Sequence, residues 1–579
     1  MTLPFRSVAL ASALTAVLGG CRPAEPRSPA PEWDRFAAGF LETYFQNNPS
    51  FAVYQGRHDF DGRLPDWSEA GLGRWAERLH QLRDSASAFP IPESDSARRF
   101  EREYVLARID SDLFWRKRAD WPHRNPEFYM SDLDPNVYVE REYAPPADRM
   151  RSFTRYAANL PAALAHIRAN IRKPIPRAYT EIARGRFGGL ATYLKSDVPR
   201  VFATVADSEL RREFDSANAG AVTALEELAE WFASEAKHGT DAFALGPELF
   251  SEMLRMTEGV DVPLDSLERL GREDMDRNLA ALGDACAQYT PGKTISACVA
   301  RMNANKAPGN PVEAGRRQLD TLEAFIRAEK LVSVPGTERA LVHEAPPYQR
   351  FNFAYIDTPG PYEKGVPSIY YISPPDPAWP KAKQAAYIPG AANLLFTSVH
   401  EVWPGHFLQF LCSNRVRFPI GRVFVGYAFA EGWAHYSEEM MWEAGLGRGD
   451  PETHIGQLAN ALLRNARYLS AIGLHARGMT VAESERLFAE KAYKDPGNAH
   501  QQALRGAYDP AYLNYTLGKL MIRKLREDWT ATRGGREAWL DFHDRFLSYG
   551  GPPIPLARKA MLGDTAGPPL AGREETPTH

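Results

Sequence analysis

Ser398-Val399-His400-Glu401-Val402-Trp403-Pro404-Gly405-His406-Phe407-Leu408-Gln409 constrains this chain more than any other stretch. Two imidazoles flank a carboxylate inside an otherwise apolar run. In the familiar helical arrangement, His-Glu-x-x-His, the two histidines sit at i and i+4 on one face. Here position i+4 is Pro404 and the next histidine comes at i+6. At about 100° per residue, i+6 points roughly 120° away from i on an unbroken helix. The two imidazoles can therefore share a ligand only if the helix stops between them. Pro404-Gly405 predicts such a stop, because proline removes a backbone donor and glycine accepts almost any backbone angle. The competing reading is a kinked core helix carrying two incidental histidines.

A second stretch favours the shared site. Phe429-Ala430-Glu431-Gly432-Trp433-Ala434-His435 lies about twenty-five residues on, within an apolar run from Val423 to Met441. An unpaired carboxylate is costly to bury there. Glu431 on a helix beside the His-Glu segment supplies a third ligand to a metal and leaves one position open for water, as catalytic zinc requires. His435, one turn after Glu431, is either an alternative ligand or a partner behind the ligands. The contrary reading has Glu431 satisfied by a buried arginine or tyrosine.

The set His400-Glu401-x-x-Pro404-Gly405-His406-x-x-Gln409 followed by Glu431-Gly432-Trp433-Ala434 resembles the bacterial domain of unknown function 885 family. That family is grouped with the gluzincins, zinc metallopeptidases whose third ligand is a glutamate. The resemblance covers the chain from near Phe40 to about Leu556. It implies one zinc ion held by His400, His406 and Glu431, with Glu401 as general base. Many members carry a second histidine directly after Pro-Gly-His, where this chain has Phe407. Arg505-Gly506-Ala507-Tyr508-Asp509-Pro510 and Tyr515-Thr516-Leu517-Gly518 also resemble family patterns. Tyr515 is a candidate oxyanion donor, and Arg505 a candidate for holding a substrate carboxylate or organising the site. For each, the other reading is a side chain that ties helices together.

The N-terminus has the form of an export signal. Arg6 precedes an apolar run from Val8 to Leu18, too short to span a bilayer as a mature helix. Leu18-Gly19-Gly20-Cys21 resembles a bacterial lipobox, which makes Cys21 a lipid-bearing residue; the alternative is an ordinary leader with a cysteine nearby. The expected organisation is a signal over residues 1–20, a Pro-, Ala- and Ser-rich tether over 21–32, a catalytic unit over 33–563 with its site in about 335–556, and a disordered tail over 564–579. Arg22 after the cysteine is compatible with outer-membrane delivery, facing the periplasm.

Composition excludes other classes. With 44% hydrophobic and 25% charged residues, the chain has an ordinary globular makeup. Its net charge of −4 lacks the basic excess of a nucleic-acid binder. No later run is apolar enough to span a membrane, which leaves membrane contact to the anchor alone. Three cysteines follow Cys21: Cys286, Cys298 and Cys412. They are too few for a thiolate metal site, and Cys286 and Cys298 either pair in an oxidising compartment or stay independent.

Apolar stripes at helical spacing run through most of the chain: Phe36 to Phe45, Leu72 to Leu82, Phe100 to Leu113, Val222 to Phe232, Leu267 to Tyr289 and Gly315 to Leu331. Between Arg339 and Pro380, Ala340–His343 and Ser368–Ile372 are short and β-prone. The fold expected is mainly α, large, two-lobed and metallopeptidase-like, with a small β-sheet beside the cleft. That sheet is either an edge that holds peptide backbone or a plain structural hairpin. The expected activity is zinc-dependent hydrolysis of short peptides at the cell envelope. The alternatives are hydrolysis of a non-peptide amide or ester, and a catalytically silent lipoprotein that binds a partner.

Overall fold

The computed structural model describes residues 29–346, 349–350, 353–563 and 566–570. Cys21 and the stretch expected to be an export signal lie outside these residues. The apolar stripes become helices that begin and end where local chemistry dictates. Helix α1 (Pro29–Asn47) stops at Asn47-Asn48-Pro49, and α2 (Glu69–Ser87) starts where the Ser68 hydroxyl accepts the Gly71 N–H. Next come α3 (Ser96–Leu113), α4 (Pro146–Asn170), α5 (Arg177–Ser196) and α6 (Ser208–Glu235). Asp207 caps α6 through the Glu209 and Leu210 N–H groups. The chain continues through α7 (Leu264–Tyr289) and α8 (Pro311–Ala328), the latter opened by an Asn310–Glu313 capping box. Helix α1 starts inside the stretch expected to be tether, because Trp33 and Phe40 have a core to enter.

Three four-residue strands follow: β1 (Leu341–Glu344), β2 (Ala354–Asp357) and β3 (Ile369–Ile372). Their order is β1-β3-β2, with β1 parallel and β2 antiparallel to β3. The two stretches legible in the sequence, β1 and β3, are parallel and so form no hairpin with each other; β2, antiparallel to β3, was not visible in the sequence. Tyr370 on β3 reaches Ser398 at 3.3 Å, and Gly315 on α8 leaves room for the Ile372 and Tyr370 side chains.

The remaining principal helices are α9 (Ala391–Glu401), α10 (His406–Ser413), α11 (Tyr427–Glu443), α12 (Pro451–Ala476), α13 (Val481–Lys491), α14 (Pro496–Tyr508) and α15 (Asn514–Thr530). The protein is thus mainly helical with one small sheet. Buried apolar side chains form two large clusters, one drawn mostly from Trp33 to Phe243 and the other from Phe250 onward. Phe424 crosses into the first, stacked 5.7 Å from Phe51.

Cys286 at the end of α7 pairs with Cys298, their Cα atoms 5.7 Å apart. Within the stretch expected as a tail, Arg558 donates to the Gly567 carbonyl at 3.2 Å, and Leu570 is 7% exposed. An apolar side chain with a pocket to enter outweighs the local composition. Among the described residues, no helix is long and apolar enough to cross a membrane.

Segments between the N-terminal helices hold the end of β2 and the loop after it. Arg141, buried, donates to both Asp357 oxygens at 3.0 and 2.6 Å, a forked pairing that fixes the end of the strand. His58 lies 2.9 Å from Asp61 and 3.1 Å from Glu363, stacked on Tyr143. Burial alone would lower the His58 pKa, but the two carboxylates outweigh it and bring it up to about 9. The fold thus favours the charged imidazole. The stabilisation is fully present below about pH 6.5 and is lost as pH rises through about 9. The gap in thermal midpoint between the parent and His58→Gln should be widest at pH 6 and close by pH 10. A gap independent of pH would remove the charge from the account.

Candidate metal centre

Helix α9 ends at Glu401 and α10 begins at His406, so the chain breaks between the two histidines. A Cβ on Gly405 would lie 1.8 Å from the His400 carbonyl oxygen. Only glycine lets the connecting loop fold back over the end of α9, where the Gly405 N–H reaches the Val399 carbonyl at 3.0 Å. The Trp433 indole N–H, from α11, donates to the Pro404 carbonyl at 2.7 Å. The two sequence stretches are thereby joined by a buried hydrogen bond.

Helix α11 brings Glu431 to the histidines because α11 and α15 cross with their backbones in contact. A Cβ on Gly432 would lie 2.5 Å from the Gly518 Cα, and one on Gly518 would lie 2.1 Å from the Ala428 carbonyl oxygen. This crossing also carries Tyr515 to the same place, its ring 6.2 Å from that of His400.

Glu431 Oε2 lies 3.3 Å from His400 Nε2 and 3.3 Å from His406 Nε2. Two ligands at about 2.0–2.1 Å from a tetrahedral zinc would lie about 3.3–3.4 Å apart. One nitrogen or oxygen from each of the three residues falls within 4.8 Å of the others. Glu431 Oε2 is buried yet makes no hydrogen bond, as expected of an atom aimed at a cation. Burial opposes its ionisation, but the facing imidazoles hold the Glu431 carboxyl well below the usual range. Donor chemistry and spacing both fit a four-coordinate divalent cation with one open position.

Behind the ligands, His400 Nδ1 lies 2.8 Å from Glu438 Oε1, which fixes the tautomer that presents Nε2 forward. Arg464 on α12 approaches the same oxygen at 3.3 Å. The role expected of His435 thus falls to Glu438. His435 is fully buried, neither of its ring nitrogens has a hydrogen-bond partner among the described residues, and Nδ1 is 3.8 Å from Glu438 Oε1. Burial lowers its pKa to about 4, so it is a neutral core imidazole. Glu438 is two turns after Glu431 on the same face, and that period was the available signal for it.

Glu401 sits beside the ligands, its carboxyl raised by burial. Its Oε2 accepts the Ile356 N–H at 3.1 Å. The Ser373 N–H donates to the Phe353 carbonyl, which sets the phase of the β2–β3 ladder. Phe353, Tyr355 and Asp357 therefore face β3, while Ala354 and Ile356 turn their backbone groups to the free edge, on the side of Glu401.

Arg505 donates to the Tyr515 hydroxyl at 3.3 Å and to the Tyr427 hydroxyl at 2.9 Å, and it lies 3.4 Å from Asp509. The Tyr427 proton goes to Asp509 at 2.9 Å. The Tyr515 oxygen accepts from Arg505, so its own proton is left to donate elsewhere. Tyr427 is a site residue that the sequence reading missed.

Fold and site together define a mainly helical protein built around a two-histidine, one-glutamate centre with an adjacent glutamate. The chain belongs to the bacterial family of unknown function DUF885, whose model matches residues 49–561. Two solved structures share the fold. One, from Shewanella oneidensis, is described as a provisional lipoprotein of unknown function and is 23% identical with a TM-score of 0.76, covering 92% of this chain and 99% of its own. The other, a provisional lipoprotein from Colwellia psychrerythraea, is 17% identical with a TM-score of 0.74, covering 92% and 98%. No functionally curated protein matches the chain.

Proposed function

We propose that this protein is a zinc-dependent peptidase of the gluzincin kind, acting on short peptides in a cleft between two helical lobes. We place it at the cell envelope, facing the periplasm and anchored through Cys21. The Cys286–Cys298 bridge suits an oxidising compartment, and the fold is shared with two proteins described as provisional lipoproteins. The observation that carries the catalytic reading is the unpaired Glu431 oxygen at 3.3 Å from each of two imidazoles. His400, His406 and Glu431 would hold the ion.

Zinc bound there supplies Lewis-acid polarisation of the substrate carbonyl and acidifies a water. Glu401 takes the proton of the attacking water and returns it to the leaving amine. The Ile356 N–H holds the Glu401 carboxylate in place for both transfers. Tyr515 donates its free proton to the oxyanion that develops on the carbonyl, with Arg505 fixing the hydroxyl's orientation. What remains of the β2 edge, the Ala354 backbone groups and the Ile356 carbonyl, pairs with the peptide backbone in extended form, which makes recognition independent of most side chains.

The deciding experiment is metal content per chain, measured beside His406→Ala. Near-stoichiometric zinc is expected in the parent, with loss in the variant. No zinc in the parent after reconstitution would sink the reading.

A further inference from the structure

Arg464, Arg467, Arg505 and Lys494 form a chain of cations within electrostatic range of one another, and among the described residues two of them, Arg467 and Lys494, make no ion pair. Arg464 is satisfied by Glu438 at 3.3 Å and the Asn460 side chain at 2.8 Å. Arg505 is satisfied by Asp509 and two phenols. Arg467, one turn after Arg464 on α12, is different. It is 8% exposed, yet among the described residues it has no carboxylate partner. Its Nε donates to Gln502 at 2.8 Å, and its guanidinium lies over the Tyr515 ring, 4.7 Å from the centroid. Among the described residues, neither terminal nitrogen makes a hydrogen bond.

Lys494 stands within electrostatic range of Arg464 and Arg467. Among the described residues its ammonium has no partner. Asp495 beside it is engaged with the Gly497 and Asn498 N–H groups at the start of α14. Tyr493, directly before it, has φ 52°, a left-handed conformation that a non-glycine residue adopts only at a cost. The Lys494 N–H reaches the Phe488 carbonyl at 3.2 Å, so the turn is held. Burial, then its arginine neighbours, lowers the Lys494 pKa to about 8. Holding like charges together in a partly dry site is unfavourable until an anion arrives.

We propose that Arg467, assisted by Lys494, receives the free C-terminal carboxylate of a peptide, which directs cleavage to the C-terminal end of the substrate. This rests on the peptidase reading above and adds the class of substrate. A planar fork with two unpaired terminal nitrogens meets the carboxylate at the end of a peptide in two parallel hydrogen bonds, which a neutral amide end cannot offer. Position agrees. The Arg467 guanidinium is 4.7 Å from the Tyr515 ring, which is 6.2 Å from the His400 ring. Together these cap its distance from His400 at about 11 Å, the length of about three extended residues. For an extended peptide, this places the bond cut within a few residues of the terminus. Hydrolysis breaks that C–N bond, puts the water oxygen on the acyl carbon, and leaves the released amine with the added proton.

The test compares acetyl-tetra-alanine as free acid, the same peptide as C-terminal amide, and an amide whose last residue is glutamate. Binding to the metal-free mature protein is measured by calorimetry, and kcat/KM on the zinc-loaded protein. The free acid should bind on the order of 100-fold more tightly than either amide, the usual weight of a charge-assisted pair. Arg467→Gln should bring the acid-to-amide ratio near one. Arg467→Lys should keep part of it, and Lys494→Gln should lower it by about tenfold without depending on the folding of an arginine variant. Equal binding of acid and amide to the parent overturns the proposal even if peptides are cleaved. Equal binding of the acid and the glutamyl amide overturns the assignment to the terminus. Acid-selective binding with no turnover of any peptide supports the subsite and defeats the peptidase reading instead.

Discussion

Glu401→Gln should leave metal content at the parent value and lower kcat on the order of 1,000-fold. Glutamine keeps the size of the side chain and an oxygen to accept the Ile356 N–H, so the strand β2 stays where it is. It cannot take a proton from water, and positioned proton transfer contributes about 100- to 10,000-fold in enzymes. Glu401 is not among the three metal-facing residues, so binding and turnover should separate. The check is kcat on a peptide substrate with zinc per chain measured on the same sample. Turnover within tenfold of the parent would take Glu401 out of the mechanism. Loss of zinc alongside turnover would make it a ligand rather than a base.

That separation depends on parts of the site that were unequally legible in the sequence. The helix break was legible because its cause is local: Pro404 and Gly405 act through their own backbones, and the near-overlap of a Gly405 Cβ with the His400 carbonyl is the same fact in three dimensions. The long helices were legible because an amphipathic period repeats over many residues. Cys286 and Cys298 could not be paired from sequence, since only the packing of α7 beside the helix Ile295–Ala304 decides their separation. β2 escaped because four residues carry almost no periodic signal, and its place is set by Arg141 more than 200 positions earlier. Arg467 escaped for a related reason. A buried arginine in a helix stripe is ordinary until its neighbours are known, and what marks it is the absence of a carboxylate.

The glycines of the second motif connect these observations. Gly432 follows the candidate ligand Glu431, and Gly518 follows Tyr515 by three residues. Their contact brings the Glu431 carboxylate and the Tyr515 ring from two different helices to the same imidazole, His400, which neither helix achieves alone. Sequence reading could recognise Glu431-Gly432-Trp433 as a unit without knowing why glycine belonged in it. The reason is the backbone of another helix.

Directly after Gly518, Lys519 holds that crossing in place, and Lys519→Met should destabilise the protein by about 3–5 kcal/mol. The Lys519 ammonium is fully buried, 2.9 and 2.6 Å from the two Asp274 oxygens and 3.0 Å from Glu439. Asp274 is on α7, Glu439 on α11, and Asn465 on α12 adds a hydrogen bond to Asp274 at 2.7 Å. One charge thus ties together four helices, three of which carry residues of the site. Methionine fills the volume but leaves two buried carboxylates short of a cation, with Arg277 the nearest remaining support at 2.8 Å from Asp274 and 3.1 Å from Glu439. Burial on its own would raise both carboxyls; Lys519 and then Arg277 hold them well below the usual range. Their contribution is present above the ordinary carboxylate pKa and fades as pH falls below it. The gap between parent and variant in urea unfolding should therefore be large at pH 7 and narrow toward pH 3. Adding Asp274→Asn to Lys519→Met should recover part of the loss, because it removes one of the stranded charges. A single variant within about 1 kcal/mol of the parent at pH 7 would show that apolar packing, and not this network, sets the angle at which Glu431 meets the two histidines.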